Sequence, residues 1–235
     1  MHISSEDKIL IISPHPDDET IGCGGLLVKY GSQCDIMLLT DGRRGYLQSD
    51  EVDEDKLASV REAELRNMAK SIGVKRVIAL HIPDGYLSVN RKRVVAEDIS
   101  SYSMIFVPNH LERHKDHSVV TEIVQSMIKK KKLKCSLYEY EVWSPLMNPT
   151  DYIDISDVIE QKQELLSFYQ SQLKYVDYLK MSICLNGYRG AGQKVSYAEA
   201  YNKVLMISFF RRLYYILPHK VRKVIHKCLA KVLEQ

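Results

Sequence analysis

Two short segments of the chain concentrate side chains that are able to bind a metal ion. The first is Pro14-His15-Pro16-Asp17-Asp18-Glu19, which places three carboxylates and an imidazole within five residues. Such crowding is costly unless a cation neutralises the charges. Acidic residues also stabilise the start of a helix, but that alternative leaves the histidine unexplained. We expect His15 and Asp18 to ligate one ion, with Asp17 on the neighbouring side of the turn.

The second segment follows Pro108-Asn109 and holds histidines and acids, namely His110, Glu112, His114, Asp116 and His117. Alone, a histidine-rich loop is a weak indication of a metal site, and His110 is expected to be an ordinary solvated histidine. Paired with the first segment the indication is strong, because loops after neighbouring strands of a doubly wound sheet converge on one crevice. Three protein ligands and an open position, supplied by His15, Asp18 and one more histidine, are typical of catalytic zinc.

The elements that must position these segments are predicted from hydrophobic patterns. Short β-branched runs alternate with longer amphipathic stretches, which is typical of βαβ units. The predicted strands are 8–13, 35–40, 76–80, 104–108 and a more exposed 137–143. The predicted helices are 19–30, 55–72, 116–127, 157–170 and 197–209. Asp154 or Ser156 is expected to cap the fourth helix, and 186–193 is expected to be a glycine-rich loop. We therefore predict an α/β, Rossmann-like fold: a mostly parallel, doubly wound sheet with helices on both faces and a helical C-terminal extension.

Length and charge divide the chain into a large domain, 1–209, and a basic tail, 210–235. A chain of 235 residues fits one such domain, and the net charge of +3 is too small to indicate a nucleic-acid partner. The tail holds seven Lys or Arg against one acid, with apolar residues at helical spacing. Two interpretations stay open: the tail contacts an anionic membrane peripherally, or it packs on its own domain or on a partner subunit of a homo-oligomer.

The cysteines and the N-terminus bear on the compartment. The five cysteines are widely spaced and include no C-x-x-C pair, which argues against a disulfide framework and fits a reducing compartment. The N-terminus lacks the pattern of a signal peptide, and no stretch approaches the roughly 20 apolar residues of a membrane span. We expect a cytoplasmic protein, with membrane association through the tail as the alternative.

The Pro14–Glu19 segment and a downstream His114-Lys115-Asp116-His117 resemble the LmbE-like or PIG-L family of zinc-dependent N-acetylglucosaminyl de-N-acetylases. The first motif is specific, and weaker likeness continues over 61–73, 84–85, Trp143, 154–172, 189–190 and 197–200. Lys115 stands where the family typically has proline, and Glu112 stands where aspartate is common. Neither departure removes a candidate ligand.

The resemblance assigns the metal and its activating base. It implies that His15, Asp18 and His117 bind zinc, with Fe²⁺ as the alternative metal in a reducing cytosol. It implies that Asp17 is the general base that takes a proton from the metal-bound water.

The resemblance also implies four further roles. His114 would stabilise the oxyanion and protonate the leaving amine, and Asp116 would orient His114. Arg61 and Asp84 would hold hydroxyl groups of the sugar. The residues themselves leave an alternative for Arg61, which could pair with Glu64 at i,i+3 on the same helix.

The expected reaction is removal of the acetyl group from an N-acetylglucosamine-type amino sugar in a glycoconjugate, by zinc-activated water with an aspartate base and a histidine acid. One alternative is a metal-dependent hydrolase of another amide or ester. Another is a catalytically silent metal- and sugar-binding protein, although the retained Asp17 and His114 speak against it. A nucleotide site is disfavoured because Gly22-Cys23-Gly24-Gly25 falls inside the first predicted helix.

The aglycone, meaning the part of the substrate attached to the amino sugar, is not indicated by the sequence. Loop 41–55 and the loop around Arg189-Gly190 are expected to shape its pocket. Within the first loop, Arg43 and Arg44 either meet an anionic group of the substrate or are solvated charges, and the sequence favours neither.

Overall fold

The structure is a computed structural model, and it describes residues 1–45 and 53–205. The chain divides into a compact unit, Met1–Val204, and a second unit, Leu205–Gln235. The predicted domain boundary at 209/210, the basic tail and part of loop 41–55 lie outside the described residues. None of the helices in the described part of the chain has both the length and the hydropathy of a membrane span.

The described chain forms a seven-stranded sheet in the order β3-β2-β1-β4-β5-β7-β6. Strands β1 to β5 are parallel, and β7 runs antiparallel to both β5 and β6. The strands are β1 Ile9–Ser13, β2 Cys34–Thr40, β3 Arg76–Ile82, β4 Met104–Pro108, β5 Ser136–Tyr140, β6 Asp151–Asp154 and β7 Ala198–Lys203. The helices are α1 Asp18–Tyr30, α2 Glu54–Ser71, α3 Arg91–Ala96, α4 Lys115–Lys131, α5 Ile159–Leu166, α6 Gln170–Leu173 and α7 Tyr178–Gln193.

Both faces of the sheet are covered, as the continuous apolar character of β1 predicts. All five residues of β1 are buried. Ile9 and Ile11 pack in one apolar cluster with residues of α1, α2 and α5. Leu10 and Ile12 pack in a second cluster with residues of α3 and α4. Alternate side chains of a strand point to opposite faces, so the two clusters lie on the two sides of the sheet. The predicted α/β fold is confirmed.

The strand order reverses at β1, which lies between β2 and β4. Ligands of doubly wound sheets bind beyond the carboxyl ends of the strands at this switch point. The first motif segment follows the end of β1 at Ser13, and the second follows the end of β4 at Pro108. The topology therefore brings both segments to the same crevice.

Two predictions about the last third of the sheet are wrong. Residues 198–203 form strand β7 where a helix over 197–209 was predicted, because pairing with β5 and β6 overrides the local preference of this segment. Strand β5 is buried over 137–140 and not exposed, since β7 pairs along its second edge. Strand β6 was not predicted.

The helices after β6 also differ from their predictions. Residues 186–193 belong to helix α7 and not to a loop. A Cβ on Gly190 would lie 2.7 Å from backbone atoms of Ser196, so glycine there serves close packing inside a helix. In place of the predicted helix 157–170 the structure has two shorter helices, α5 and α6. Neither predicted cap is used, because α5 begins after Val158. The Asp154 carboxylate instead accepts a hydrogen bond from the Ser156 backbone N–H.

Candidate active site

A tight turn between β1 and α1 presents the first motif segment. Ser13 Oγ lies 2.6 Å from the His15 carbonyl oxygen and 2.7 Å from Glu19 Oε2, and Ser13 and Glu19 are both buried. Asp17 has a φ of 124°, a region that non-glycine residues rarely adopt. Such a conformation costs about 1–3 kcal/mol and persists where surrounding contacts impose it. Its carbonyl accepts the first helical bonds, from Thr20 and Ile21.

Three predicted ligands meet behind this turn. His15 Nδ1 lies 3.2 Å from Asp18 Oδ2 and 3.0 Å from His117 Nε2. His117 Nε2 lies 3.0 Å from the same oxygen of Asp18. All three residues are buried. Ligands of a tetrahedral zinc ion are separated by about 3.4 Å, so two imidazole nitrogens and one carboxylate oxygen at these distances fit a Zn²⁺ or Fe²⁺ ion.

Two carboxylates lie on the opposite side of the His15 ring. His15 Nε2 lies 3.1 Å from Asp84 Oδ1 and 3.7 Å from Asp116 Oδ2. The Asp116 carboxylate also accepts bonds from the backbone nitrogens of Gly85 at 2.7 Å and Leu87 at 3.2 Å. A ring nitrogen that faces carboxylates carries the proton, which leaves the Nδ1 lone pair for a metal. Asp84 and Asp116 therefore orient His15.

The contact between Asp116 and His114 is made by the Asp116 backbone and not by its carboxylate. Among the described residues, its carboxylate accepts bonds from the Gly85 and Leu87 backbone and faces His15, and it forms no hydrogen bond with the His114 ring. The reason is local, because His114 caps helix α4 and its Nδ1 accepts the backbone N–H of Asp116 at 3.3 Å. Asp116 fixes the His114 tautomer through its backbone, so the proton of a neutral His114 lies on Nε2.

The electrostatics of His114 favour a neutral ring before substrate binds. Burial lowers the pKa of His114, and the neighbouring rings of His15 and His117 lower it further, against smaller opposing effects of Asp18 and Asp84. The His114 ring centroid lies 4.6 Å from that of His15 and 5.0 Å from that of His117. His114 thus stands beside the predicted ligands with Nε2–H available as a donor.

Asp17 is held beside the ligand cluster by a cation and a phenol. Its Oδ2 accepts bonds from Arg61 at 3.0 Å and from the Tyr178 hydroxyl at 2.8 Å. Burial raises the pKa of Asp17 to about 7, although the Arg61 guanidinium opposes the shift. A carboxylate with a pKa near neutrality is suited to general-base catalysis.

The Arg61 side chain forms its hydrogen bonds with residues outside its own helix α2, including the turn between β1 and α1. It donates to the carbonyls of Gly42 at 2.7 Å and Pro16 at 2.8 Å, besides Asp17. Glu64 accepts bonds from the backbone and hydroxyl of Ser171 at 2.8 and 2.7 Å. The alternative pairing of Arg61 with Glu64 is therefore wrong.

One cavity of about 350 Å³ joins these groups, a size typical of small-molecule sites. Its lining residues are His15, Asp17, Asp18, Arg44, Gly45, Arg61, Asp84, His114, Trp143, Gln172 and Tyr178. Six of the eight predicted site residues are in that set, while Asp116 and His117 are buried outside it.

Several lining residues were not predicted from the sequence. Tyr178 and Gln172 come from the region after β6, whose helices were assigned incorrectly. Trp143 is presented by a loop that Glu112 holds, since Glu112 Oε1 accepts the backbone N–H of Val142, Trp143 and Ser144 at 2.9–3.1 Å. His110 lies apart from the cluster, 2.6 Å from Glu139.

The contact between Asp84 and His15 predicts an effect on metal affinity. In Asp84→Asn the carboxylate that faces His15 Nε2–H becomes a neutral amide, so His15 is a weaker base and is less firmly oriented. We expect zinc affinity to fall about 10- to 100-fold, measured by competition with a chromophoric chelator. Asp98→Asn, at an exposed position, is the control. Unchanged affinity with lost activity would instead assign Asp84 to substrate binding alone.

Comparison with known proteins gives a consistent assignment. Residues 10–128, just over half of the chain, match the family model PIG-L, described as GlcNAc-PI de-N-acetylase. Diacetylchitobiose deacetylase of Thermococcus kodakarensis is 29% identical over 189 residues, 70% of each chain. A probable N-acetyl-alpha-D-glucosaminyl L-malate deacetylase 2 of Bacillus cereus is 26% identical over 71% of this chain and 84% of its own.

A solved structure supports the fold. N,N'-diacetylchitobiose deacetylase from Pyrococcus horikoshii superposes with a TM-score of 0.75 at 22% identity, covering 92% of this chain and 88% of that one. The family match spans both motif segments and the strands that position them. The chain therefore belongs to the PIG-L family of de-N-acetylases.

Proposed function

We propose that this protein is a metal-dependent hydrolase that removes the acetyl group from an N-acetylglucosamine-type amino sugar in a glycoconjugate. The observation that carries the proposal is the placement of Asp17 and His114 on one cavity, directly beside the cluster of His15, Asp18 and His117. The names of the curated relatives support the choice of bond, since both are deacetylases of acetylated amino sugars.

His15, Asp18 and His117 would hold the metal, with zinc as the proposed ion and Fe²⁺ as the alternative. When bound, such an ion supplies Lewis acidity, which lowers the pKa of a water molecule and polarises the acetyl carbonyl. Asp84 and Asp116 orient the His15 ring so that Nδ1 lies beside the other two ligand atoms. Its lone pair is then available to a metal ion bound between the three.

Asp17 would accept the proton of the attacking water. Arg61 and Tyr178 both bind its Oδ2, which fixes the carboxylate and leaves Oδ1 for the proton. The raised pKa makes Asp17 a stronger base than an exposed aspartate while it is still ionised above neutral pH. General-base help of this kind contributes about 10²–10⁴-fold to the rate.

His114 would act on the carbonyl oxygen and on the departing nitrogen. The neutral ring donates Nε2–H, which stabilises negative charge developing on the carbonyl oxygen. To protonate the amine, the ring would take up a second proton at Nδ1, in place of the bond from the Asp116 N–H, and would give its Nε2 proton to the nitrogen as the C–N bond breaks. The charge on the carbonyl oxygen favours this uptake because it raises the pKa of the ring, and the proton that Asp17 removes from the water balances the proton given to the amine. The first role uses the tautomer that the Asp116 backbone imposes, and the second uses the doubly protonated ring.

The sugar would lie against Asp84 and Arg61, which both line the cavity. Asp84 has acceptor capacity beyond its contacts with His15 and Arg44, so it can accept from a hydroxyl group. Arg61 NH2 uses both of its N–H groups on Pro16 and Asp17, and NH1 uses one on Gly42, so a sugar hydroxyl would bind the second N–H of NH1.

The reaction is tested by release of free amine from methyl N-acetylglucosaminide and N,N'-diacetylchitobiose, with zinc-loaded wild type beside His117→Ala. We expect release by the wild type only, with metal content lost in the variant. One tightly bound metal per chain without release from any N-acetylated sugar would contradict the proposal. It would favour hydrolysis of another amide or ester, or a silent metal- and sugar-binding protein.

A further inference from the structure

The adjacent residues Arg43 and Arg44, just after β2, have different surroundings. Arg43 Nε donates to Asp41 Oδ2 at 2.8 Å, and its NH1 lies 3.0 Å from Asp55 Oδ1. Arg44 is exposed and lines the cavity. Across residues 1–45 and 53–205, no carboxylate forms a salt bridge with the Arg44 guanidinium. Of the two arginines, Arg43 is neutralised by its own loop and Arg44 presents its charge to the cavity.

Arg44 is also held in place. Its backbone N–H donates to Asp84 Oδ2 at 3.2 Å, and its guanidinium carbon lies 5.3 Å from the centre of the Tyr86 ring. Gly85, between those two partners, has a φ of 84°, and a Cβ there would lie 3.3 Å from Arg44 NH1. Glycine thus leaves room for the guanidinium over the ring. A preorganised arginine loses less entropy when it binds a ligand.

The other arginine of the cavity offers no equivalent charge. Arg61 is buried, pairs with Asp17 and donates to two backbone carbonyls. His15, Asp17 and Asp18 are buried at the reaction centre, whereas Arg44 is exposed. Arg44 therefore stands at the mouth, where the part of a substrate that projects away from the acetyl group would pass.

We propose that Arg44 selects substrates whose aglycone carries an anionic group, a carboxylate or a phosphate, next to the acetylated sugar. A planar guanidinium binds either group through two parallel hydrogen bonds. The inference rests on the proposed function, because it assumes that the acetyl group lies at the ligand cluster. It goes beyond that function because it names the charge of the aglycone. The names of the two relatives show different aglycones: a second acetylated sugar, which is neutral, for the first and malate, which is anionic, for the second.

The test compares two glycosides of N-acetylglucosamine that have the same shape and differ in charge, the carboxymethyl and the carbamoylmethyl glycoside. We expect wild-type enzyme to prefer the carboxymethyl compound about tenfold in kcat/KM, as a charge-assisted hydrogen bond at a partly exposed site would give. Arg44→Ala should bring the ratio to about one, and Arg44→Lys should keep part of it. Arg43→Ala removes the same charge from the same loop and should leave the ratio unchanged. N-acetylglucosamine 1-phosphate, assayed alongside, shows whether phosphate is preferred to carboxylate.

The inference and the proposed function fail in different ways. Equal use of both glycosides by the wild type, or an equal loss on both in Arg44→Ala, would overturn the role of Arg44 while leaving deacetylation intact. If neither glycoside is hydrolysed, the proposed reaction fails. The Kd values of the two compounds for each variant, measured by calorimetry, then still give the charge preference, and a ratio of one would overturn the inference as well.

Discussion

Replacing Asp17 with asparagine should lower kcat by about 10²–10⁴-fold and leave the metal content unchanged. The carboxylate lies beside the ligand cluster, bound by Arg61 and Tyr178. Asparagine keeps the size of the side chain and tolerates the positive φ of this position, so the turn should survive. The variant loses the base and not the fold. The measurements are kcat for amine release and metal per chain by elemental analysis.

Asp35→Asn is the matched control for this experiment. Asp35 is also a buried carboxylate paired with an arginine, Arg76, but it lies at the start of β2, away from the cavity. Its replacement should leave kcat within about threefold of wild type, because no step of the reaction needs it. A metal loss in Asp17→Asn would make Asp17 a ligand, and an unchanged kcat would remove it from the mechanism.

The same assignment predicts a pH dependence. Asp17 works as a base only when ionised, so kcat/KM of the wild type should fall as pH drops through the pKa of Asp17. Burial places that pKa at about 7 without a metal, and a bound cation lowers the pKa of an adjacent carboxylate. The acidic limb should therefore lie at or below pH 7, and it should be absent from the residual activity of Asp17→Asn.

The part of the fold that the sequence predicts well is the part built by local rules. Strands β1, β2 and β4 are continuous apolar runs that are buried on both faces, and the ends of β1 and β4 position both motif segments. Strand β7 was missed because Ala198-Glu199-Ala200 favours a helix locally, and only its pairing with β5 and β6 makes it a strand. The intrinsic preference of a short segment for helix or strand does not contain information about which strands it will pair with.

The site likewise has one part that the sequence predicts and one part that depends on tertiary contacts. The residue types and the topology predict that His15, Asp18 and one more histidine come together, because the two loops converge at the same edge of the sheet. Only the family resemblance identifies that histidine as His117. The partners of Asp84 and Asp116 were not predictable, since they depend on how loop 83–87 passes over the His15 ring. Arg43 and Arg44 are likewise adjacent and chemically identical in the sequence. Only their three-dimensional contacts distinguish them, since within the described residues Arg43 pairs with carboxylates and Arg44 does not.

A large effect on stability is expected from the buried pair of Lys162 and Glu199. Lys162 Nζ lies 2.7 Å from Glu199 Oε1 and donates to the Ile21 carbonyl at 2.9 Å, and both residues are fully buried or nearly so. Glu199 also accepts the backbone N–H groups of Gly25 and Leu26 at 2.7 and 2.9 Å. Helix α1 has a non-helical residue at Cys23, and the pair satisfies polar groups on both sides of this kink.

Lys162→Met should therefore lower the free energy of unfolding by about 3–5 kcal/mol, because it leaves the Glu199 carboxylate buried without its cation. Adding Glu199→Gln should recover part of the loss, since the remaining charge is removed as well. Urea unfolding of each variant at equal metal loading gives the values. Lys29→Met, which breaks the salt bridge between Lys29 of α1 and exposed Asp157, should cost less than about 1 kcal/mol. If Lys162→Met and Lys29→Met lose the same unfolding free energy, the buried charges do not stabilise the kink of α1. Packing, such as the contact of Gly25 with Ile155, would then hold it.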